Sequence, residues 1–258
     1  MTRVNDDLPG AHLPLRGAIF DFNGTLSDDE GLLYEIYLDL FREQLGYELT
    51  KDDYFTTLAG LSDPEIILEV LKRINGADNR ALATHLLDTK VKRYCAEVAI
   101  APRIAVEAAD FVRAIADIVP VAVATGAARV EVHAALKAAG IFDSFSTIVT
   151  AEDVQLGKPD PEGFLIAARV LKARIEDQGE NYDPNVIAVF EDSSFGLLAA
   201  KSAGMFPVVV ASPVPQFAAG SLTIPSLSGA SLDLVLPLFC SHSPQSTGRL
   251  SSEVPDPR

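Results

Sequence analysis

The sequence predicts an α/β protein, a doubly wound, Rossmann-like parallel sheet with an all-helical cap domain inserted after the first strand. Three observations point to it. Short, continuous apolar runs end in polar or small residues. Helical patterns closed by glycine alternate with them. One stretch, from about 28 to 98, breaks that alternation by being helix-patterned throughout. Runs so short and apolar suit strands buried on both faces, and hence a parallel sheet. Their alternation with helices is the pattern of a doubly wound domain.

Taken in order, residues 1–15 carry Pro9, Gly10 and Pro14 in a mixed polar setting and read as a flexible lead-in. The first strand is expected at 17–22 (G-A-I-F-D-F). The helical stretch follows, with L-L-Y-E-I-Y-L-D-L-F and I-I-L-E-V-L-K-R-I broken by turns near 45–47 and 74–79. Further strands are expected at 119–124, 147–150, 186–190 and Phe206–Val210. Helices are expected at 128–139 before Gly140, from Pro161 to Leu171, and at 194–203 before Gly204, matching the preference for Pro at a helix start and Gly past its end. The tail 240–258 has too little apolar content to offset its ordering entropy. The predicted division is 16–27 with 100–239 as catalytic core and 28–99 as cap, hinged near Asp28 and 99–103. An insertion at the C-terminal end of a parallel strand sits over the ligand crevice of such a sheet.

Composition narrows the function. With 36 acidic against 21 basic residues, the net charge of −15 repels nucleic acid and anionic membranes. Two cysteines exclude a disulfide scaffold, and no apolar run reaches the length of a membrane span. The expectation is a cytoplasmic monomer acting on a small molecule.

Four motifs follow predicted strands and therefore converge on one crevice. Asp21 precedes Asn23-Gly24-Thr25, where glycine permits a tight turn and the backbone can cradle an anion. Thr125-Gly126 places a hydroxyl and free N–H groups before a helix. Lys158 sits in Gly-Lys-Pro-Asp-Pro. Glu191-Asp192 closes an apolar strand with two carboxylates, which suits a hard cation. Singly, each also reads as an ordinary turn or helix cap. Together they supply a carboxylate nucleophile, a hydroxyl, an ammonium and a metal seat, the set phosphoryl transfer needs.

These blocks (D-F-N-G-T-L, A-T-G-A, G-K-P-D-P-E-G-F and F-E-D-S-S-F-G-L-L-A-A-K-S-A-G-M) resemble the haloacid dehalogenase-like superfamily. The branch is the one with a helical cap after the first strand, similar to phosphoglycolate phosphatases and β-phosphoglucomutases. The resemblance spans roughly 16–239. It implies a phosphohydrolase of small phosphorylated metabolites in which Asp21 is the nucleophile forming an aspartyl-phosphate. Mg²⁺ would be held by Asp21, the Asn23 carbonyl and Asp192, with Glu191 beside them. Gly24, Thr25, Thr125, Gly126 and Lys158 would bind phosphate, with Ser193 supporting the metal. The segment 58–66 resembles a substrate-facing cap loop.

One position departs from that pattern. The family usually has a second Asp, acting as acid and base, where this chain has Asn23, and an amide cannot do that work. Asp28, Asp29 and Glu30 are possible substitutes, each also readable as part of a solvated acidic turn. A sugar phosphomutase and a degenerate phosphometabolite-binding regulator are the alternative readings. His133 reads as structural, Arg129 as either crevice-facing or solvated, and Arg73, Lys90, Lys92 and Arg93 as a solvated helix face.

Overall fold

The computed structural model describes residues 14–75, 79–210 and 221–240. The expected tails 1–15 and 240–258 lie mostly outside them. Six parallel strands form one sheet: β1 (Gly17–Phe20), β2 (Val121–Ala124), β3 (Thr147–Val149), β4 (Ile187–Glu191), β5 (Phe206–Val210) and β6 (Leu222–Ile224), in the order β3-β2-β1-β4-β5-β6. This is the doubly wound order, in which the chain reverses direction across the sheet at β1 and β4 and ligands bind at that switch point.

The strands alternate as a two-sided sheet requires. Ile19, Ala122, Ala124 and Val189 pack on one face against α7 (Glu162–Asp177) and α8 (Ser194–Ser202). Phe20, Val123, Phe190 and Val208 face the other side, where α5 (Val106–Ala116), α6 (Arg129–Ala138) and α9 (Gly229–Phe239) close the core. Phe20 pairs with Phe190 in register, and their rings stack at 4.6 Å and 7°. Such a pair adds about 0.5–1.5 kcal/mol beyond its buried area. It also fixes which residues leave β1 and β4 side by side.

Strand and helix positions agree with expectation to within a few residues, apart from α7, which runs six residues past Leu171. The expected pattern lacks one strand and two α-helices, β6, α5 and α9, along with three short 3-10 turns. Leu15, expected in the lead-in, is fully buried, and its N–H donates to the Leu238 carbonyl at 2.7 Å. Among the described residues no helix is long and apolar enough to cross a membrane.

The insertion consists of α1 (Glu30–Leu45), the short α2 (Lys51–Asp53), a π turn at Tyr54–Leu58, α3 (Asp63–Asn75) and α4 (Arg80–Ile100). Gly46, at φ +64°, closes α1 where a turn was expected. Ser62 opens α3: its N–H and hydroxyl both donate to Glu65, satisfying helix-start donors.

Lys90 corrects the expectation of a solvated helix face. Its side chain is 1% exposed, and its ammonium lies 2.7 Å from both Asp63 of α3 and Glu131 of α6, so it fastens the insertion to the core. Tyr37 also donates to Asp63, at 2.6 Å. Burial opposes the charge on Lys90, yet the two carboxylates raise its pKa above the ordinary lysine value, so it stays cationic. Burial holds the Glu131 carboxyl up, to about 8, against the pull of Lys90. Arg73 pairs with Asp53 and Glu69, and Arg93 pairs with Glu43, as a solvated face would.

Removing Lys90 would leave Asp63 and Glu131 buried without their cation. Lys90→Met should therefore destabilise the fold by about 3–5 kcal/mol, whereas Lys92→Met, on an exposed position of the same helix, should stay within about 0.5 kcal/mol. Urea unfolding of the two variants beside the wild type checks this. Equal midpoints would show that Lys90 does not hold the seam.

Candidate active site

The tips of β1 and β4 carry the central acids. Asp21 follows β1 and is anchored by its N–H to the Phe190 carbonyl at 3.0 Å. Glu191 is the last residue of β4, and Asp192 follows it. One oxygen from each of Asp21, Glu191 and Asp192 lies within 4.8 Å of the others. Lys158, from the loop after β3, places its ammonium 2.5 Å from both Asp21 Oδ1 and Glu191 Oε1.

Local structure holds each group in place. Gly24 has φ +77°, and a Cβ there would run into the Asp192 carboxylate, so only glycine fits. Its N–H donates to the Ser27 carbonyl at 2.8 Å, closing the turn. The Thr25 hydroxyl donates to Asp192 Oδ1 at 3.0 Å, so this side chain orients the acid, whereas the family resemblance implied a phosphate contact. Glu191 Oε2 accepts from the Ser193 N–H and hydroxyl at 2.8 and 3.0 Å, and Ser193 Oγ in turn caps α8 by accepting from the Gly196 N–H. Both Glu191 oxygens are thus engaged by the protein. A Cβ at position 196 would overlap the Glu191 carboxylate, which makes that glycine obligatory as well. After β2, Thr125 Oγ1 accepts from the Ala127 N–H at 3.1 Å.

Among the described residues, this cluster sets three carboxylates against one ammonium. Burial, with Glu191 adding to it, outweighs Lys158 and lifts the Asp21 carboxyl to about 7. Burial, then Glu191 and Asp21, lift Asp192 to about 8. Lys158 is raised by its two carboxylates against the effect of burial. Buried carboxylates in excess of their cation are the donor set a hard divalent ion seeks, so the residues fit Mg²⁺.

The cluster opens into a cavity of about 290 Å³, walled by Asp21, Asn23, Thr125, Gly126, Lys158 and Asp192 from the core. The opposite wall comes from the insertion. Its loop 59–62 approaches the core closely: a Cβ at Gly126 would press on Ser62, and Gly60, at φ +92°, lies against Phe195 and Ser193. Most of the segment 58–66, whose resemblance implies a substrate-facing loop, lines this cavity.

Asn23 faces the cavity, but its side chain is committed. Its amide donates to Asp29 Oδ2 at 3.0 Å, and the Tyr94 hydroxyl of α4 donates to the same oxygen at 2.5 Å. Asp29 is fully buried, its carboxyl held up by burial, and it leaves the N-cap of α1 without a side-chain bond. Of the three candidate substitutes for the missing acid, only Glu30 lines the cavity. Burial and the neighbouring Asp29 raise it to about 7, and Tyr54 donates to it at 3.3 Å. Nothing in the sequence pointed to Tyr94, 65 positions from Asp29, or to Tyr54 and Phe55 in the wall. Arg129 pairs with Asp153 and does not line the cavity, while His133 packs edge-on against Phe142 in a structural role.

Comparison with known proteins agrees with this architecture. The profile described as haloacid dehalogenase-like hydrolase matches residues 15–204. The validoxylamine A 7'-phosphate phosphatase of Streptomyces hygroscopicus subsp. limoneus is 31% identical over 204 residues, covering 74% of this chain and 83% of that protein. A phosphorylated carbohydrates phosphatase of Thermotoga maritima is 30% identical over 194 residues, 74% and 82% of the two chains. The crystal structure of CbbY from Rhodobacter sphaeroides in complex with phosphate superposes with a TM-score of 0.71 at 25% identity, covering 85% of this chain and 99% of that one.

The Asn23–Asp29 contact sets an expectation for substitution. Asn23→Asp would bring two carboxyls together at about the present 3.0 Å in a buried site, and should lower stability by about 1–3 kcal/mol. Asn23→Asp combined with Asp29→Asn restores a donor and an acceptor with the carboxyl now on the cavity side, and should recover most of that loss. Denaturant midpoints of the single and double variants test the pairing. A single variant as stable as wild type would contradict it.

Proposed function

The chain belongs to the haloacid dehalogenase-like hydrolase family, and from that premise we propose that it is a Mg²⁺-dependent phosphohydrolase of small phosphorylated metabolites working through an aspartyl-phosphate on Asp21. The observation that carries this reading is the meeting of Asp21, Glu191 and Asp192 around Lys158 at the switch point of the sheet, opening into a cavity walled by both core and insertion. The phosphatase names of two relatives that each match three-quarters of the chain support it.

In this reading Asp21 attacks phosphorus in line with the departing oxygen. Lys158 holds a phosphoryl oxygen while balancing the charge on Asp21, and Thr125 with the backbone at Gly126 receives another. Asp21, the Asn23 carbonyl and Asp192 would hold Mg²⁺, which neutralises charge on the transferring group. Glu191 is a positioning residue: its two oxygens fix Lys158 and the start of α8. The insertion would keep bulk solvent out of the cavity while one water attacks the phosphoenzyme, takes the phosphoryl group and frees Asp21.

Asn23 brings a kinetic signature. Its amide, already donating to Asp29, neither protonates a leaving alkoxide nor activates water. An aryl phosphate with an acidic leaving group needs no proton to depart, so the first step is spared while hydrolysis of the phosphoenzyme is slowed. The expected outcome is a burst of phenolate equal to the enzyme present, followed by slow turnover. A linear trace without a burst would place an active base elsewhere. The Asn23→Asp, Asp29→Asn double variant should remove the burst and raise steady-state hydrolysis, by up to about 10²–10⁴-fold if the new carboxyl is well placed.

Asp192→Asn should abolish Mg²⁺-dependent turnover, because a hard cation strongly prefers an anionic oxygen to an amide. Wild-type Mg²⁺ titration and turnover in that variant would rule out the metal seat.

A further inference from the structure

The wall that the insertion contributes has a charge bias the core wall does not share. Among the described residues, Lys158 is the one cation lining the cavity, and it is engaged by Asp21 and Glu191. The insertion's share of the lining includes Glu30, Leu33, Tyr54, Phe55, Leu61 and Ile66. Among the described residues, no arginine, histidine or lysine of the insertion lines the cavity. Lys90 is buried on Asp63 and Glu131, and Arg73 is held by Asp53 and Glu69, and neither lines the cavity.

We infer that the cavity takes monoesters carrying a single phosphate on a small, hydroxylated, uncharged or amine-bearing leaving group, and turns away bisphosphates and phosphorylated carboxylic acids. The inference rests on the phosphohydrolase reading above and narrows it. With the reacting phosphate against Lys158, the rest of the substrate reaches Glu30. There, hydroxyl or ammonium hydrogens meet a carboxyl oxygen, while Leu33, Phe55 and Ile66 cover carbon. A second phosphate or a carboxylate would instead lose its water beside Glu30 with no cation to replace it. Discrimination by an unmatched charge is a repulsive device, and each tenfold of selectivity corresponds to about 1.4 kcal/mol. At about 290 Å³ the space suits a single-ring compound, near the lower end of the roughly 300–1,000 Å³ usual for ligand pockets.

The test uses the full chain with Mg²⁺ and measures phosphate release from p-nitrophenyl phosphate, fructose 1-phosphate, glucosamine 6-phosphate, fructose 1,6-bisphosphate and phosphoglycolate. Sugar monophosphates should exceed the bisphosphate and phosphoglycolate in kcat/KM by about 10²-fold or more. Phe55→Arg, which adds a cation to a half-exposed position of this wall, should narrow the ratio at least about tenfold. Hydrolysis of p-nitrophenyl phosphate together with equal or better use of the bisphosphate or phosphoglycolate overturns the inference and leaves the phosphohydrolase reading intact. An unchanged ratio in Phe55→Arg also overturns it. No hydrolysis of any compound, p-nitrophenyl phosphate included, overturns both.

Discussion

Three carboxylates from two adjacent strand tips share one lysine, and much of the surrounding structure serves that crowding. Phe20 stacked on Phe190 keeps β1 and β4 in the register that delivers Asp21 beside Glu191 and Asp192. Gly24 and Gly196 remove the side chains that would displace two of the acids. Thr25 and Ser193 each donate to one of them. A protein does not gather uncompensated negative charge in a buried place for stability, since burial penalises the charged form. In the proposed reading, the cluster is a site held ready for a cation and an anionic ligand at the expense of the empty fold.

The insertion completes the site without contributing to that cluster. It supplies one wall of the cavity and, through Tyr94 and Asp29, the contacts that occupy the amide of Asn23. The position that departs from the family pattern is therefore not an isolated change. Asn23 is the donor that a buried, proton-hungry Asp29 requires, so the two residues form one local solution that an acid at position 23 would break.

The parallel sheet and the convergence of four motifs could be read from the sequence because both rest on local signals: strands buried on both faces, glycine stops, and polar residues at strand exits. Asp21, Thr125, Lys158 and Asp192 fall where those signals put them. α5 carried its own signal, with Ala108, Ala109, Val112 and Ile115 buried at helical spacing, and lay within reach of the same reading. α9 did not: Gly229 and Pro237 argue against a helix, and burial of Val235, Leu238 and Phe239 overrides them. Lys90 and the Asn23–Asp29–Tyr94 chain were hidden for another reason. Their partners lie 6 to 65 positions away, and a buried lysine has the same letter as a solvated one.

The ionic fastening of Lys90 across the seam also bears on motion. An apolar seam resists separation in proportion to the area it wets. A buried ion pair behaves differently, because water that enters the gap re-solvates the very charges whose desolvation opposed their contact. Asp63, Lys90 and Glu131 therefore make a joint whose docked and parted states lie closer in free energy than an aliphatic joint of equal size would allow. The geometry of the ion pair keeps the docked register specific. In the proposed reaction, a cavity that admits a substrate and releases two products is served by a fastening of this kind, selective when docked yet easily parted.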